Sequence, residues 1–202
     1  MLFIQHRVNT IEQLKQTPTE FGVEIDLRDR GDRLIVVHDP FSDGEDFERW
    51  LDHYHHALVI LNVKSERIEH RVLELVKTRG ITSYFFLDSS FPMMRLLSKQ
   101  GENNLAVRFS EFEPVEGALA MAGQARWAWI DCFTKMPLTE STYGRLKPHF
   151  KLCAVSPELQ GRAPETIASY ARELQPFPMD AVCTKRPDLW QAALGKASGV
   201  AR

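Results

Sequence analysis

Four short groups of polar residues each stand at the end of, or inside, an apolar run where a packed core would not choose them: His6-Arg7, Glu24-Ile25-Asp26, His38-Asp39 and Asn62-Val63-Lys64. Glu24 and Asp26 alternate with Val23, Ile25 and Leu27, so in a strand both carboxylates share one face and the apolar residues take the other. Two carboxylates on a closed face repel and lose hydration unless a divalent ion or an arginine lies between them. Oxygen-only coordination favours Mg²⁺ or Ca²⁺ over a zinc site. His6 and His38 would suit in-line displacement at a phosphate, one taking the nucleophile's proton while the other protonates the departing oxygen. Arg7 could balance the phosphate charge as a rigid donor fork, and Lys64 as a point charge. The same groups also admit a purely structural reading, with Glu24 and Asp26 paired to Arg7, Arg28 or Lys64 in an ion network that needs no metal.

Positioning these groups requires strands, and the chain supplies eight: Leu2 to His6, Val23 to Arg28, Ala57 to Lys64, Tyr84 to Asp88, Leu105 to Phe109, Trp127 to Phe133, Lys151 to Val155 and Ala181 to Thr184, with an extra extended segment from Leu34 to His38. Helical segments alternate with them. In Ile68 to Lys77, for instance, Ile68, Val72, Leu75 and Val76 share one face, and Gly80 suits the C′ position. Thr139, Pro164 and Pro187 mark further helix starts, and Thr10 to Gln16 forms a short first helix before Pro18. Eight alternating units predict an α/β fold, a compact single-domain (β/α)₈ TIM barrel over residues 1–202, with an open doubly wound sheet as the alternative. The last residues, Ala197 to Arg202, read as a frayed tail.

The ordered set His6-Arg7, Glu24-x-Asp26 and Val36-Val37-His38-Asp39 resembles the signature of the glycerophosphodiester phosphodiesterases, within the wider superfamily of phosphatidylinositol phospholipase C-like enzymes. The match covers the first third of the chain; beyond it, the alternation and the Cys183-Thr184-Lys185-Arg186-Pro187 turn are similar. The resemblance implies a barrel in which His6 and His38 are the acid/base pair, Glu24 and Asp26 bind metal, and Arg7 and Lys64 contact phosphate. It also implies a third metal ligand two residues before the lysine. That position holds Asn62, a neutral donor, for which Asp88 or Glu111 would be substitutes. Val8-Asn9-Thr10 stands where the family has glycine and a Pro-Glu-Asn stretch that helps hold glycerol, and the short first loop is similar to that of the venom sphingomyelinase D branch.

Other polar residues have simpler readings. Arg28 through Arg33 around Gly31 reads as a solvated hairpin-like turn with no role in the site. Arg108, at the end of the fifth strand, is a substrate contact or a salt-bridged rim residue. Asp131 either faces the cavity or satisfies nearby backbone, and no histidine activates Cys132. His53, His55 and His56 read as the solvated end of a helix that exposes Trp50. The 25 basic and 27 acidic residues are interspersed, giving no nucleic-acid footprint. Three dispersed cysteines, a short polar N-terminus and the lack of a membrane-span-length apolar run lead to the expectation of a soluble cytoplasmic protein acting on a small-molecule phosphodiester, its oligomeric state open. The leading expectation is metal-assisted phosphodiester cleavage, by water or by a hydroxyl of the substrate itself. The alternatives are a catalytically weakened barrel binding a phosphorylated sugar or lipid head group, and an aldolase-like barrel with Lys64 as a Schiff-base lysine.

Overall fold

Residues 1–197 are described in a computed structural model, in which the chain forms two compact units. One comprises Gln5–Ala106; the other comprises Met1–Ile4 and the chain from Val107 onward. Of the frayed tail expected over Ala197 to Arg202, Ala197 ends the last helix and the rest lies outside the described residues.

The Gln5–Ala106 unit contains α1 (Ile11–Gln16), β2 (Gly22–Arg30), β3 (Arg33–Val36), β4 (Glu45–Asp46), α2 (Phe47–Leu51), β5 (Leu58–Val63), α3 (Glu69–Thr78), β6 (Tyr84–Leu87) and α4 (Phe91–Lys99); β1 (Leu2–Gln5) leads into it. Thr10 closes a capping box with Gln13, which is how a six-residue helix holds its first turn before Pro18. β2 pairs in parallel with β5, Glu24 opposite Ile60 and Asp26 opposite Asn62. β5 in turn pairs in parallel with β6. Strand residues Val23 through Leu27 and Leu58 through Val63 are buried on both faces, as parallel strands covered by helices should be. α3 ends as expected, at Gly80 with φ 67°, and Ile81 N–H reaches back to Val76 O at 3.0 Å.

β3 folds back antiparallel on β2 through the Gly31-Asp32 turn, Gly31 having φ 66°. The solvated hairpin expected there is present at Asp29–Arg33, but Arg28 does not belong to it. Beyond β3 the chain turns again to form β4, antiparallel to β3. Gly44 permits this return: a Cβ there would lie 2.5 Å from Val36 O and 2.8 Å from Val37 Cβ.

Trp50, expected at the surface, is fully buried between Phe47 and Tyr54 and donates Nε1–H to Val8 O at 3.1 Å. A large ring whose N–H finds a backbone acceptor loses little by burial, and here it ties α2 to the segment that follows β1. His53 and His55 are solvated as expected. His56 instead packs against Tyr54, bonds Thr17 O at 3.0 Å, and has its pKa lowered by burial.

The second unit contains β7 (Ala106–Phe109, its first residue shared with the other unit), α5 (Val115–Leu119), β8 (Trp127–Ile130), α6 (Glu140–Leu146), β9 (Lys151–Val155), two 3₁₀ turns (Pro157–Gln160 and Pro164–Thr166), α7 (Ile167–Glu173), β10 (Ala181–Thr184) and α8 (Pro187–Ala197). β8, β9 and β10 pair in parallel, and Leu2 N–H joins this unit by donating to Asp180 O at 2.8 Å. Each of the eight strands read from the sequence is present, in an α/β arrangement. Among the described residues no helix is long and apolar enough to cross a membrane.

Candidate functional site

His6, Arg7, Glu24, Asp26, His38, Asn62, Lys64 and Asp88 all fall within the Gln5–Ala106 unit. Glu24 and Asp26 project from the same face of β2 and are buried, at 0% and 1% exposure. Glu24 Oε1 accepts from Asn62 Nδ2 at 2.8 Å on the neighbouring strand, and Oε2 accepts from Arg7 N–H at 2.8 Å. His6 Nε2 lies 3.7 Å from the same Oε2. Arg7 adopts φ 56°, a left-handed backbone that costs a non-glycine residue about 1–2 kcal/mol and here aims its N–H at the carboxylate.

Burial is the main reason that the Glu24 pKa is pushed up to about 7, with the neighbouring Asp26 charge adding to it. Donation from Asn62 and Arg7 N–H, and the Lys64 charge, oppose that rise without cancelling it. Near neutral pH this carboxyl therefore exchanges its proton readily.

Asp26 is gripped by a residue to which the sequence reading gave no role. Asn9 donates Nδ2–H to Asp26 Oδ2 at 2.9 Å and accepts Asp26 N–H on Oδ1 at 3.0 Å. Arg7 Nε stands 3.7 Å from Oδ2, and Lys64 Nζ stands 3.8 Å from Oδ1. Lys64 also bonds Asp88 Oδ2 at 3.1 Å, at the end of β6, where Asp88 has φ 59°. Thus Arg7 and Lys64 are the cations beside Asp26, and Asp88 meets Lys64.

His38 lies two residues past β3, and its Nδ1 is 2.8 Å from Asp39 Oδ1. A carboxylate only accepts, so Nδ1 carries the proton and the neutral ring has its acceptor lone pair on Nε2. The hydrogen bond with His38 holds the Asp39 carboxyl below its ordinary range, and the Arg7 and Arg28 charges act in the same direction. Arg28 Nε and Nη2 donate to His38 O at 3.0 and 2.8 Å, and Nη1 donates to Lys64 O at 3.0 Å. Its signal in the sequence was parity: Arg28 follows Glu24 and Asp26 at the same two-residue interval. Asn9 carried no comparable signal.

Among the described residues no three His, Cys, Asp or Glu side chains converge on a point that could hold a metal ion. Glu24 and Asp26 bring two carboxylates, and the third expected donor is the Asn62 amide. Asp26 Oδ1 and Asn62 Oδ1 are nonetheless buried without a hydrogen-bond partner. Buried oxygens are seldom left so, and two on paired residues beside Glu24 make an all-oxygen donor set that fits a hard divalent cation.

The remaining candidates belong to the second unit. Arg108 pairs with the buried Asp131, which also accepts from Cys132 N–H at 2.9 Å and Gln160 Nε2 at 2.6 Å. Asp131 thus satisfies nearby groups, one of the two readings given for it. Glu111 is engaged by the Thr134 hydroxyl at 2.8 Å and the Lys135 N–H at 3.3 Å. Burial pushes the Cys132 thiol up to about 11, so it stays protonated at neutral pH.

No protein-family profile matches the chain, and no curated protein sequence does. Solved structures do. A glycerophosphodiester phosphodiesterase from Agrobacterium tumefaciens shares 18% sequence identity, with 96% of this chain and 99% of that one covered at a TM-score of 0.71. A glycerophosphoryl diester phosphodiesterase from Parabacteroides distasonis shares 14% identity over 97% of this chain and 86% of that one, at a TM-score of 0.67. The chain resembles these enzymes in fold along nearly its whole length.

Proposed function

We propose that this chain is a phosphodiesterase acting on a small, glycerophosphodiester-like substrate, in the single closed (β/α)₈ domain that its alternating elements predict. The observation carrying the reading is the Glu24–Asp26 pair with His6, Arg7, Asn62 and Lys64 around it, in a fold shared with two enzymes named for that activity.

In this reading the Arg7 guanidinium and the Lys64 ammonium bind the phosphate oxygens. One histidine takes the proton of the attacking hydroxyl, and the other gives a proton to the departing alkoxide. His38 is held for such work by Asp39, and His6 by its position beside Glu24. If water attacks, the products are a phosphate monoester and an alcohol; if a hydroxyl of the substrate attacks, they are a cyclic phosphodiester and an alcohol. Glu24, Asp26 and Asn62 would hold Mg²⁺ or Ca²⁺, which when bound supplies positive charge to the phosphate and lowers the pKa of Glu24.

The second reading, a barrel that binds a phosphorylated sugar or lipid head group without cleaving it, draws on Asn62, whose amide brings no charge to a cation. Release of nitrophenol from bis-p-nitrophenyl phosphate separates the two. Turnover that needs Mg²⁺, Ca²⁺ or Mn²⁺ and vanishes in His6→Ala and Glu24→Ala supports the enzyme. Folded protein that binds a phosphorylated ligand but cleaves no diester with any of these metals supports the binder.

A further inference from the structure

We infer that Arg28 is a positioning residue, one that sets the relative placement of His38 and Lys64 without itself touching substrate. The inference rests on the proposed phosphodiesterase reading for its consequence and on geometry for its substance. β2 presents Glu24, Asp26 and Arg28 on one face, at a strict two-residue interval, so Arg28 belongs to the site and not to the hairpin beyond it. The exposed tip of that hairpin, from Asp29 to Arg33, is a different environment from the half-buried Arg28.

Among the described residues Arg28 forms no ion pair with Glu24 or Asp26, the structural pairing that its charge would suggest. It spends its donors on two main-chain carbonyls. Nε and Nη2 both reach His38 O, at 3.0 and 2.8 Å, and Nη1 reaches Lys64 O at 3.0 Å. Both carbonyls lie just past a strand end, after Val36 of β3 and Val63 of β5, where the regular ladder has stopped. Val37 N–H to Asp26 O and Lys64 N–H to Leu27 O, both at 2.9 Å, are the last backbone links holding these segments to β2. Past them, the planar fork of Arg28 takes over, bridging the two segments across β2 with one rigid group.

This arrangement requires a guanidinium. Lysine would keep the charge but has a single nitrogen, so it cannot span two carbonyls with a preorganised fork. Because groups acting on one phosphate must be held within tenths of an ångström, loosening one of the two segments should appear in turnover more than in binding; displacement of about 1 Å is worth on the order of 100-fold in rate.

The test compares Arg28→Lys and Arg28→Ala with the parent protein. The chemical readout is kcat and KM for bis-p-nitrophenyl phosphate, and the structural readout is the His38 ring signals in ¹H–¹⁵N correlation spectra, assigned with His38→Ala. The expected result is a fall in kcat of at least about 30-fold in both variants with KM changed less than about threefold. Guanidinium chloride at millimolar concentration should restore part of the turnover of Arg28→Ala and none of that of His38→Ala. The His38 ring signals should move or broaden in both variants while those of His6 stay in place. Unchanged kcat together with unchanged His38 signals in folded Arg28→Lys overturns the inference. Should the parent protein cleave no diester, the phosphodiesterase reading fails by itself, and the ring signals decide on Arg28: displaced His38 signals uphold the positioning role, and undisturbed ones overturn it.

Discussion

Replacing Glu24 by glutamine converts the cost of burying this carboxylate into a change of stability with pH. The folded-state pKa of about 7 stands above the ordinary 4.5, so the folded protein prefers the neutral form. Ionisation therefore destabilises the fold: the penalty is absent below pH 4.5, grows as the pH rises from 4.5 to 7, and is complete above 7. A difference of this size corresponds to about 3 kcal/mol. For a chain of this length, with an unfolding entropy near 2 cal/mol/K per residue, that is about 7 °C in melting temperature. Glu24→Gln keeps the shape and removes the titration. Its melting temperature minus that of the parent should rise by about 7 °C between pH 4 and pH 8.5. The melts are run in chelator, because a bound divalent cation would stabilise the ionised form. A difference that stays within about 1 °C across this range would refute the reasoning, since it would mean that Glu24 is not held as a costly buried anion.

Three further outcomes follow from the site. Asn62→Asp adds the third carboxylate that the donor set lacks; isothermal titration should show Ca²⁺ or Mg²⁺ binding on the order of tenfold tighter than in the parent, while the metal-free variant melts lower through repulsion with Glu24 and Asp26. Asn9→Ala removes both hydrogen bonds that grip Asp26, and urea unfolding should report a loss of about 2–3 kcal/mol. Gly44→Ala drives a Cβ into Val36 O and Val37, and should cost about 1–3 kcal/mol by the same measurement while displacing the His38 signals in NMR spectra.

Much of this site was legible because strand periodicity is a local rule. The two-residue interval of Glu24 and Asp26 placed both on one face, and the structure has them there. The eight strands were readable from apolar runs, with errors confined to ends: β8 stops at Ile130 and not at Phe133, and β3 stops at Val36, leaving His38 beyond it. What the sequence hid depends on contacts between distant segments. Trp50 reads as surface from its charged neighbours Glu48, Arg49 and Asp52, and it is buried because Val8 O, 42 residues away, accepts its N–H. His56 is buried in the same way, through Thr17 O. The clamp of Asn9 on Asp26 has no periodicity to announce it, since it is made by a single side chain following β1. Arg28 was readable by parity, but its charge pattern with Asp29, Arg30, Asp32 and Arg33 grouped it with the turn. Asn62 shows the other limit: its residue type predicts a weak ligand, whereas its orientation, amide nitrogen toward Glu24 and oxygen left without a partner, emerges only from the paired strands.

The most direct test of the account is ³¹P NMR of a small glycerophosphodiester incubated with the protein and Mg²⁺, Ca²⁺ or Mn²⁺. A phosphodiesterase should replace the diester resonance by that of a phosphate monoester or a cyclic phosphate, and His38→Ala should leave the diester intact. A diester resonance unchanged by the folded parent protein with every metal would contradict the phosphodiesterase reading.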